Sequence, residues 1–413
     1  MRAAPLRLCE YQTHRVDWSR ETREAVAAAA EAWSQANGLP SPPLSFEGAD
    51  GCTLRAEQYA GVVEADGVCV EIYPKLDAAL VAGAALDESR ARSVMGNLLW
   101  MLEESGYGGL VDAGEASVEE CPDEITDLLA WLFARRLRHQ LGLGAPQEYM
   151  GRRDDLSLVR GRIEFCRQAT ALFGRPDVIA CTWDEFTADT PLARLLRCAT
   201  ETLLARTRLP GAAADLRDAL AMLDEAEPVH PLEALSGGIR WSRLNARWRP
   251  CHDIAVAALR GLGREMHAGG TESLVFLLDM NALFESHCAR WLERRFRVLI
   301  HEQVRLGTLL VAPDARLGQD ADFVWHTPGE MWVGDAKYKT ARDGEWPKID
   351  DVRQLICYGQ LARGKYAQKQ SRLMILHPTT DGESANERTT FDGQPLTLQS
   401  VRVVRPAAGA ALD

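Results

Sequence analysis

The chain contains no apolar run long enough to span a bilayer, and its first residues, MRAAPLRLCEYQTHRVDW, hold no apolar stretch behind their basic residues. These absences leave no expectation of a membrane-spanning helix or a secretory leader. Its ten cysteines include no C-x-x-C pair, and Cys251-His252 has no second ligand pair at zinc spacing. A structural zinc is therefore not expected, and reduced thiols in a cytoplasmic protein are. The phosphate-binding pattern G-x-x-x-x-G-K-[ST] is missing too. The nearest stretch, GQLARGKY (359–366), ends in tyrosine where a metal-binding hydroxyl is required. No nucleotide is expected to be bound or hydrolysed by this chain itself. Positive charge is scarce, with 47 Lys and Arg against 59 Asp and Glu and a formal net charge of −12. That argues against a protein holding nucleic acid unaided over a broad basic surface, but allows a local basic stripe or a partner that delivers the nucleic acid.

What is present suffices for several domains: 413 residues, 46% of them hydrophobic. An Ala-rich helix is predicted over Arg20–Asn37, stopped by Gly38, Pro40, Pro42 and Pro43. Residues 52–76 read as a β-meander turning at Ala65-Asp66-Gly67 and ending at Pro74-Lys75. Periodic helices follow at 90–104 and 123–141. After a break at Gly142, Gly144 and Pro146 comes an extended element around Gly161. There Arg152, Arg153, Arg160 and Arg162 alternate with Asp154, Asp155 and Glu164. Residues 181–207 turn from strand to helix, with Asp189 or Thr190 as the cap and Pro191 at the first position. Helices at 213–225 and 251–266 follow. The last part opens with a helix capped by Asp279. Strand-like runs at 298–300 and 308–311, a hairpin, a loop (340–347), a helix (350–362), a buried strand (373–376) and an edge strand (396–404) complete it. The expected architecture is α/β and multidomain: an N-terminal α+β domain (1–165), a mainly helical connector (166–270) and a C-terminal α/β sandwich on a mixed sheet (271–405). Residues 406–413 are expected to be a disordered tail.

The hairpin, QDADFVWHTPGEMWVGDAKYK (319–339), carries the chemistry. If Pro328-Gly329 is a two-residue loop, Thr327 faces Glu330, and counting back sets Asp322 opposite Asp335 on one face of the sheet. Lys337 shares that face by strand alternation. Asp320 competes as the first carboxylate, but its cross-strand partner would be Lys337, which makes Asp322 the better metal partner of Asp335. Phosphodiester hydrolysis needs an oriented water, positive charge on the phosphate and a proton or metal for the leaving oxygen. Mg²⁺ takes oxygen ligands and keeps several waters. Asp322, Asp335 and the Ala336 carbonyl form a partial shell of that kind. Lys337 is a point charge for the water or phosphate. Gln354, on the following helix, is placed to hold that water or a phosphate oxygen, and Glu285 to support the site through a water. The plain alternative is a structural ion pair on a solvated sheet face.

The D-x(12)-D-A-K pattern, followed by a helix bearing Gln354 and Tyr358, resembles the PD-(D/E)xK nuclease fold. The wider chain resembles the McrC family, the nuclease subunit of McrBC-type modification-dependent restriction systems. The likeness runs through AGVVEADGVCVEIYPKL (60–76), LVRGRIEF (158–165), CTWDEFTADTPLARLL (181–196), MNALFESHCARWL (280–292), GDAKYK (334–339) and DDVRQLICY (350–358). It departs from the motif at Ala321, where the motif's name has proline. The resemblance implies a restriction-endonuclease-like sandwich using Mg²⁺, with Mn²⁺ able to substitute, and Asp322, Asp335 and Lys337 catalytic with Gln354 and Glu285 accessory. It also implies a hexameric AAA+ GTPase partner engaged by residues up to roughly 165, and modified double-stranded DNA as substrate. Nuclease domains would pair for double-strand cleavage, in a bacterial or archaeal cytoplasm. Two rivals stand beside it: a non-enzymatic activator of an AAA+ NTPase with a degenerate nuclease fold, and a nuclease that acts without a motor.

Overall fold

A computed structural model describes residues 5–36, 38–39, 41–48, 51–106, 125–262, 274–311, 316–339, 347–366, 371–391 and 393–406. The helix start expected at Asp123, most of the loop 340–347 and nearly all of the tail 406–413 lie outside the described residues. The chain packs as two compact units, Met1–Leu128 with Glu265–Asp413, and Leu129–Arg264. Among the described residues no helix is long and apolar enough to cross a membrane.

In chain order the first segment carries β1 (Leu6–Cys9), β2 (Thr13–Arg15), α1 (Arg20–Ala36), β3 (Leu44–Glu47), β4 (Thr53–Ala56), β5 (Tyr59–Ala65), β6 (Val68–Tyr73), α2 (Ala78–Val81) and α3 (Glu88–Ser105). The middle carries α4 (Ile125–Gly142), β7 (Glu148–Leu156), β8 (Arg162–Ile163), α5 (Phe165–Ala169), β9 (Ile179–Thr187), α6 (Pro191–Leu204), α7 (Pro210–Met222), α8 (Pro231–Ser236) and α9 (Arg249–Leu262). The last segment carries β10 (Leu274–Asp279), α10 (Met280–Phe296), β11 (His301–Val311), β12 (Arg316–Thr327), β13 (Glu330–Ala336), α11 (Ile349–Tyr366), β14 (Ser371–Thr379), β15 (Ala385–Thr389) and β16 (Pro395–Arg402).

Among the described residues the larger unit holds three sheets. One has the order β1-β6-β5-β10, a second β2-β4-β3, and the third is six-stranded, β11-β12-β13-β14-β16-β15. The turn at 65–67 is as expected: Asp66 and Gly67 both take positive φ, the twist that a two-residue hairpin needs. The first sheet takes its last strand from far along the chain, since β10 pairs antiparallel with β5 through Phe276↔Val62. Residues read as the opening of the C-terminal part thus complete the N-terminal sheet. Asp279 ends that strand and caps α10 by accepting from the amides of Asn281 and Ala282 at 2.9 and 3.3 Å. One residue therefore joins the two halves of the unit.

The six-stranded sheet is mixed, as expected. β13, β14 and β16 run parallel, and β11, β12 and β15 are antiparallel to their neighbours. A parallel β13–β14 pair requires a crossover, and α11 provides it. α11 lays Leu355, Ile356, Tyr358 and Ala362 on Val324, Met331, Val333 and Leu373. On the opposite face Phe296 of α10 packs on Trp325 and Trp332, which stack at 5.5 Å across the hairpin. Burial of each large side chain of this kind contributes about 1.5–3 kcal/mol. The strand expected as the edge at 396–404 is interior, because β15 pairs outside it. β15 is exposed along its whole length, so its sequence, ANERT, carries no apolar alternation to announce a strand.

The smaller unit packs α6 against α7, α8 and α9. Thr190 is the cap, its hydroxyl accepting from the Ala193 amide at 3.1 Å, with Pro191 first in the helix. Its sheet, β7-β9-β8, contains the arginine-rich segment. Gly161 there sits at φ +70°, and an added Cβ would lie 2.3 Å from the Thr182 carbonyl oxygen, so only glycine fits the turn into β8.

Candidate active site

Asp322 comes from β12, Asp335 from the end of β13 and Lys337 from just beyond it, Gln354 from α11 and Glu285 from α10. The ladder pairs Thr327↔Glu330, Trp325↔Trp332 and Phe323↔Gly334. One further step sets Asp322 against Asp335, the register that the two-residue loop dictates. Gly334 is part of the reason the strands close so tightly. A Cβ there would meet the Trp325 ring at 3.0 Å and Phe323 at 3.3 Å. The cluster lies at the carboxyl end of β13, where open α/β sheets place their ligands.

Asp335 is 1% exposed. The Lys337 ammonium lies 2.8 Å from its Oδ2, while its Oδ1 finds no hydrogen-bond partner among the described residues. Asp322 Oδ2 accepts from the Ala336 amide at 2.8 Å. Lys337 Nζ also donates to Gln354 Oε1 at 3.3 Å, and Gln354 Nε2 donates to Tyr358 Oη at 2.5 Å, one helical turn along α11. Asp322, Asp335, Lys337 and Gln354 thus form one connected group. Asp320 stands outside it, bonded by Arg305 across β11 at 2.8 Å. Glu285 makes no hydrogen bond to the group. It accepts from Gln303 at 3.0 Å and acts on the cluster by charge.

The electrostatics are those of carboxylates held against their preference. Burial first, and the Asp322 charge second, push the Asp335 carboxyl up to about 7 against the pull of Lys337. Burial and Glu285 push Asp322 up to about 6, opposed by the Ala336 amide and Lys337. Glu285 is raised by burial, then by Asp279 and Asp335. Burial draws Lys337 down, but Asp335, Asp322 and Asp351 together outweigh it and the ammonium ends above its ordinary value. It is a standing cation at neutral pH.

Sequence reasoning missed Asp351. Asp350 and Asp351 look alike in the first turn of α11, where acidic residues suit the helix dipole. Asp350 is exposed and pairs with Arg353 at 3.2 Å. Asp351 is 7% exposed and has an unpartnered Oδ2, and its charge acts on both Asp335 and Lys337. The i, i+3/i+4 register of α11 against its apolar face is the signal that separates the two. A cleft of about 630 Å³ bordered by Trp100, His287 and Arg402 shares no residue with this group.

Among the described residues, no group of three or more His, Cys, Asp or Glu stands ready to hold a metal. The residues that could contribute are Asp322 and Asp335, with the Ala336 carbonyl. They make an all-oxygen set with an orphaned buried oxygen, which suits a hard cation that retains waters better than a zinc-like cage.

A sequence profile of the family described as McrBC 5-methylcytosine restriction system component matches residues 54–376. No curated protein matches. Among solved structures, a refined half-complex from a tetradecameric assembly of Thermococcus gammatolerans McrB AAA+ hexamers with bound McrC is similar at a TM-score of 0.64. That likeness has 18% identity and covers 99% of this chain and 97% of the matched chain. A cryo-EM structure of the Thermococcus gammatolerans McrBC complex gives a TM-score of 0.49 at 18% identity, over 70% of this chain and 88% of that one. At such identity the first likeness is one of fold.

Proposed function

The chain belongs to the family of McrBC 5-methylcytosine restriction system components, and from that premise we propose that it is the McrC-like subunit that cuts DNA by phosphodiester hydrolysis. The six-stranded sheet with α10 and α11 on its two faces is read as a PD-(D/E)xK nuclease sandwich. The observation that carries the reading is Asp335: wholly buried, beside a second carboxylate, one oxygen unsatisfied and the other on a lysine. A buried charge cluster of that kind is a poor device for stability. It is a good one for a divalent cation.

Mg²⁺, which Mn²⁺ could replace, would be held by Asp322 and Asp335 with the Ala336 carbonyl. When bound it would supply a Lewis acid and a polarised water. In hydrolysis the water oxygen bonds to phosphorus, the bond from phosphorus to the leaving oxygen breaks, the water loses a proton and the leaving oxygen gains one. Lys337, cationic at neutral pH, acts as a charge donor to the phosphoryl oxygens and not as a base. Gln354 fixes the ammonium and offers a polar group to the same phosphate or water. Tyr358 fixes Gln354. Glu285 supports the cluster through a water on the side facing Gln303.

The partner follows from the fold relative, in which McrC is bound to McrB AAA+ hexamers. We assign this chain a McrB-like AAA+ GTPase hexamer as partner and DNA carrying modified cytosine as substrate. The small sheet β7-β9-β8 is our choice for part of the contact with the hexamer. It exposes Tyr149 and Phe186, whose rings lie 5.0 Å apart, and the segments that connect its strands carry Leu158, Phe165 and Phe173, each more than half exposed. Large exposed apolar patches with a polar rim mark interaction sites. Delegating the motor and DNA delivery to another protein is consistent with the acidic charge and the missing phosphate loop. The assignment keeps the protein in the cytoplasm of a bacterium or archaeon.

Calorimetric titration of Mn²⁺ into the wild-type chain tests the site without requiring cleavage. A binding isotherm that Asp322→Asn and Asp335→Asn each abolish is the expected result. No heat that depends on either residue would favour the adaptor reading, in which the chain only activates its NTPase.

A further inference from the structure

Tyr338 directly follows Lys337, and strand alternation turns its side chain to the opposite face of the sheet. There it packs against Phe284 of α10, with ring centroids 5.7 Å apart, and is 7% exposed. Its hydroxyl donates to Glu10 Oε1 at 2.8 Å, across 328 positions of sequence. The same oxygen accepts from the Lys75 amide at 2.7 Å, and the Glu10 amide donates to the Tyr73 carbonyl at 3.0 Å. Glu10 therefore sits just past β1 and joins the Pro74-Lys75 end of β6 to the end of the β13 strand. A second tie lies beside it: Asn97 donates to the Leu76 carbonyl at 2.7 Å and accepts from the Arg405 amide at 3.0 Å, just beyond β16.

Glu10 is 1% exposed, its Oε2 has no partner, and burial holds its carboxyl above the ordinary range, up to about 7. An apolar residue here would leave the buried Tyr338 hydroxyl and the Lys75 amide without this acceptor. What the carboxylate contributes is direction. β13 ends at Ala336, and beyond it the main chain is held by the Lys337 amide on the Leu376 carbonyl at 2.9 Å and the Lys339 amide on the Lys337 carbonyl at 2.7 Å. The Tyr338 hydroxyl pins the next residue from the far face.

We propose that Glu10 is a positioning residue for the carboxylate–lysine cluster: it fixes Tyr338 and so sets the Lys337 ammonium between Asp335 and Gln354. The N-terminal sheet is then the support on which the catalytic strand rests, and a displacement of Pro74-Lys75 is felt at Lys337 through a buried hydrogen bond. The inference rests on the nuclease reading for its effect on rate, but not for its effect on the strand.

Tyr338→Phe removes the hydroxyl and keeps the ring on Phe284. Glu10→Leu removes both bonds, and Glu10→Gln keeps a carbonyl acceptor. In the full chain with its partner, Tyr338→Phe and Glu10→Leu are expected to lower kcat for DNA cleavage by about ten- to a hundredfold, the scale of a small misplacement of a reacting group. KM for DNA and stimulation of the GTPase stay unchanged, and Glu10→Gln recovers most of the rate. Hydrogen exchange of the segment 333–339 gives the independent readout: faster in Tyr338→Phe and Glu10→Leu, with 373–376 unaffected. If wild type cuts and both variants cut at its rate, the inference is overturned while the nuclease reading stands. If wild type never cuts, the nuclease reading fails, and unchanged exchange at 333–339 would overturn the positioning role by itself.

Discussion

Replacing Asp335 by asparagine separates what this side chain does for the fold from what it does for chemistry. Its carboxyl is moved from 3.8 to about 7 by burial and by Asp322. A tenfold change in proton affinity corresponds to about 1.4 kcal/mol, so holding this coupled pair in the folded state costs on the order of a few kcal/mol. The sign follows from the direction. A carboxyl raised in the folded state has its full stability contribution below the unfolded value and loses it as pH rises through about 7. Wild type without metal is therefore penalised at pH 8 and not at pH 4. The amide introduced by Asp335→Asn does not titrate, and its carbonyl can still accept from Lys337. Asp335→Asn is thus expected to melt several degrees above wild type in EDTA at pH 8, with the gap closing towards pH 4. Added Mg²⁺ should raise only wild type, since binding to the folded state alone stabilises it. DNA cleavage should fall by at least about a hundredfold. Thermal unfolding followed by circular dichroism across pH, with and without Mg²⁺, reads all of this. A variant that melts below wild type in EDTA at pH 8, or a gap independent of pH, would refute the view of Asp335 as a charge held against its preference.

Gln354→Ala, which leaves the Lys337 ammonium on Asp335 alone, should lower cleavage about tenfold in a plasmid-nicking assay while Mn²⁺ binding persists. Gly161→Ala forces a Cβ against the Thr182 carbonyl from a positive φ; it should abolish stimulation of the partner GTPase in a phosphate-release assay and leave Mn²⁺ binding at wild-type strength. Tyr149→Ser with Phe186→Ser removes a ring pair 5.0 Å apart on the exposed sheet and should weaken partner binding by more than tenfold in a pull-down or interferometry titration, with no loss of melting temperature.

Much of this was legible in the sequence because it depends on local rules. A two-residue loop with glycine at its second position fixes hairpin register, and alternation then decides which of Asp320, Asp322, Asp335 and Lys337 share a face. Helix caps at Asp279 and Thr190 follow from side chains that compete for backbone amides. What escaped depends on pairing across the chain. β10 lies within SLVFLLD, an apolar run with no mark of its partner, and only the fold reveals that it completes a sheet begun at Leu6. Of the two strand-like runs expected there, 298–300 ends just before β11 and is not a strand, and only 308–311 falls within it, because the first residues of β11, HEQVR, lie largely exposed on a sheet edge and carry no apolar signal. Asp351 and Glu10 look like any surface acid in sequence, and their burial is set by α11 and by β1. Short-range stereochemistry accounts for the grouping of Asp322, Asp335 and Lys337 in the candidate site. The support proposed for it at Glu10 lies 328 positions from Tyr338, beyond the reach of any local rule.

The central claim is that Asp322, Asp335 and Lys337 cut DNA, and Lys337→Ala tests it most directly. The full chain is combined with a McrB-like hexamer, GTP, Mg²⁺ and plasmid bearing methylated cytosine, and linear product and released phosphate are measured together. Wild type is expected to cut, and Lys337→Ala is expected to stimulate the GTPase equally while producing no linear product. Cleavage by Lys337→Ala at the wild-type rate, or GTPase stimulation without cleavage by wild type itself, would contradict it.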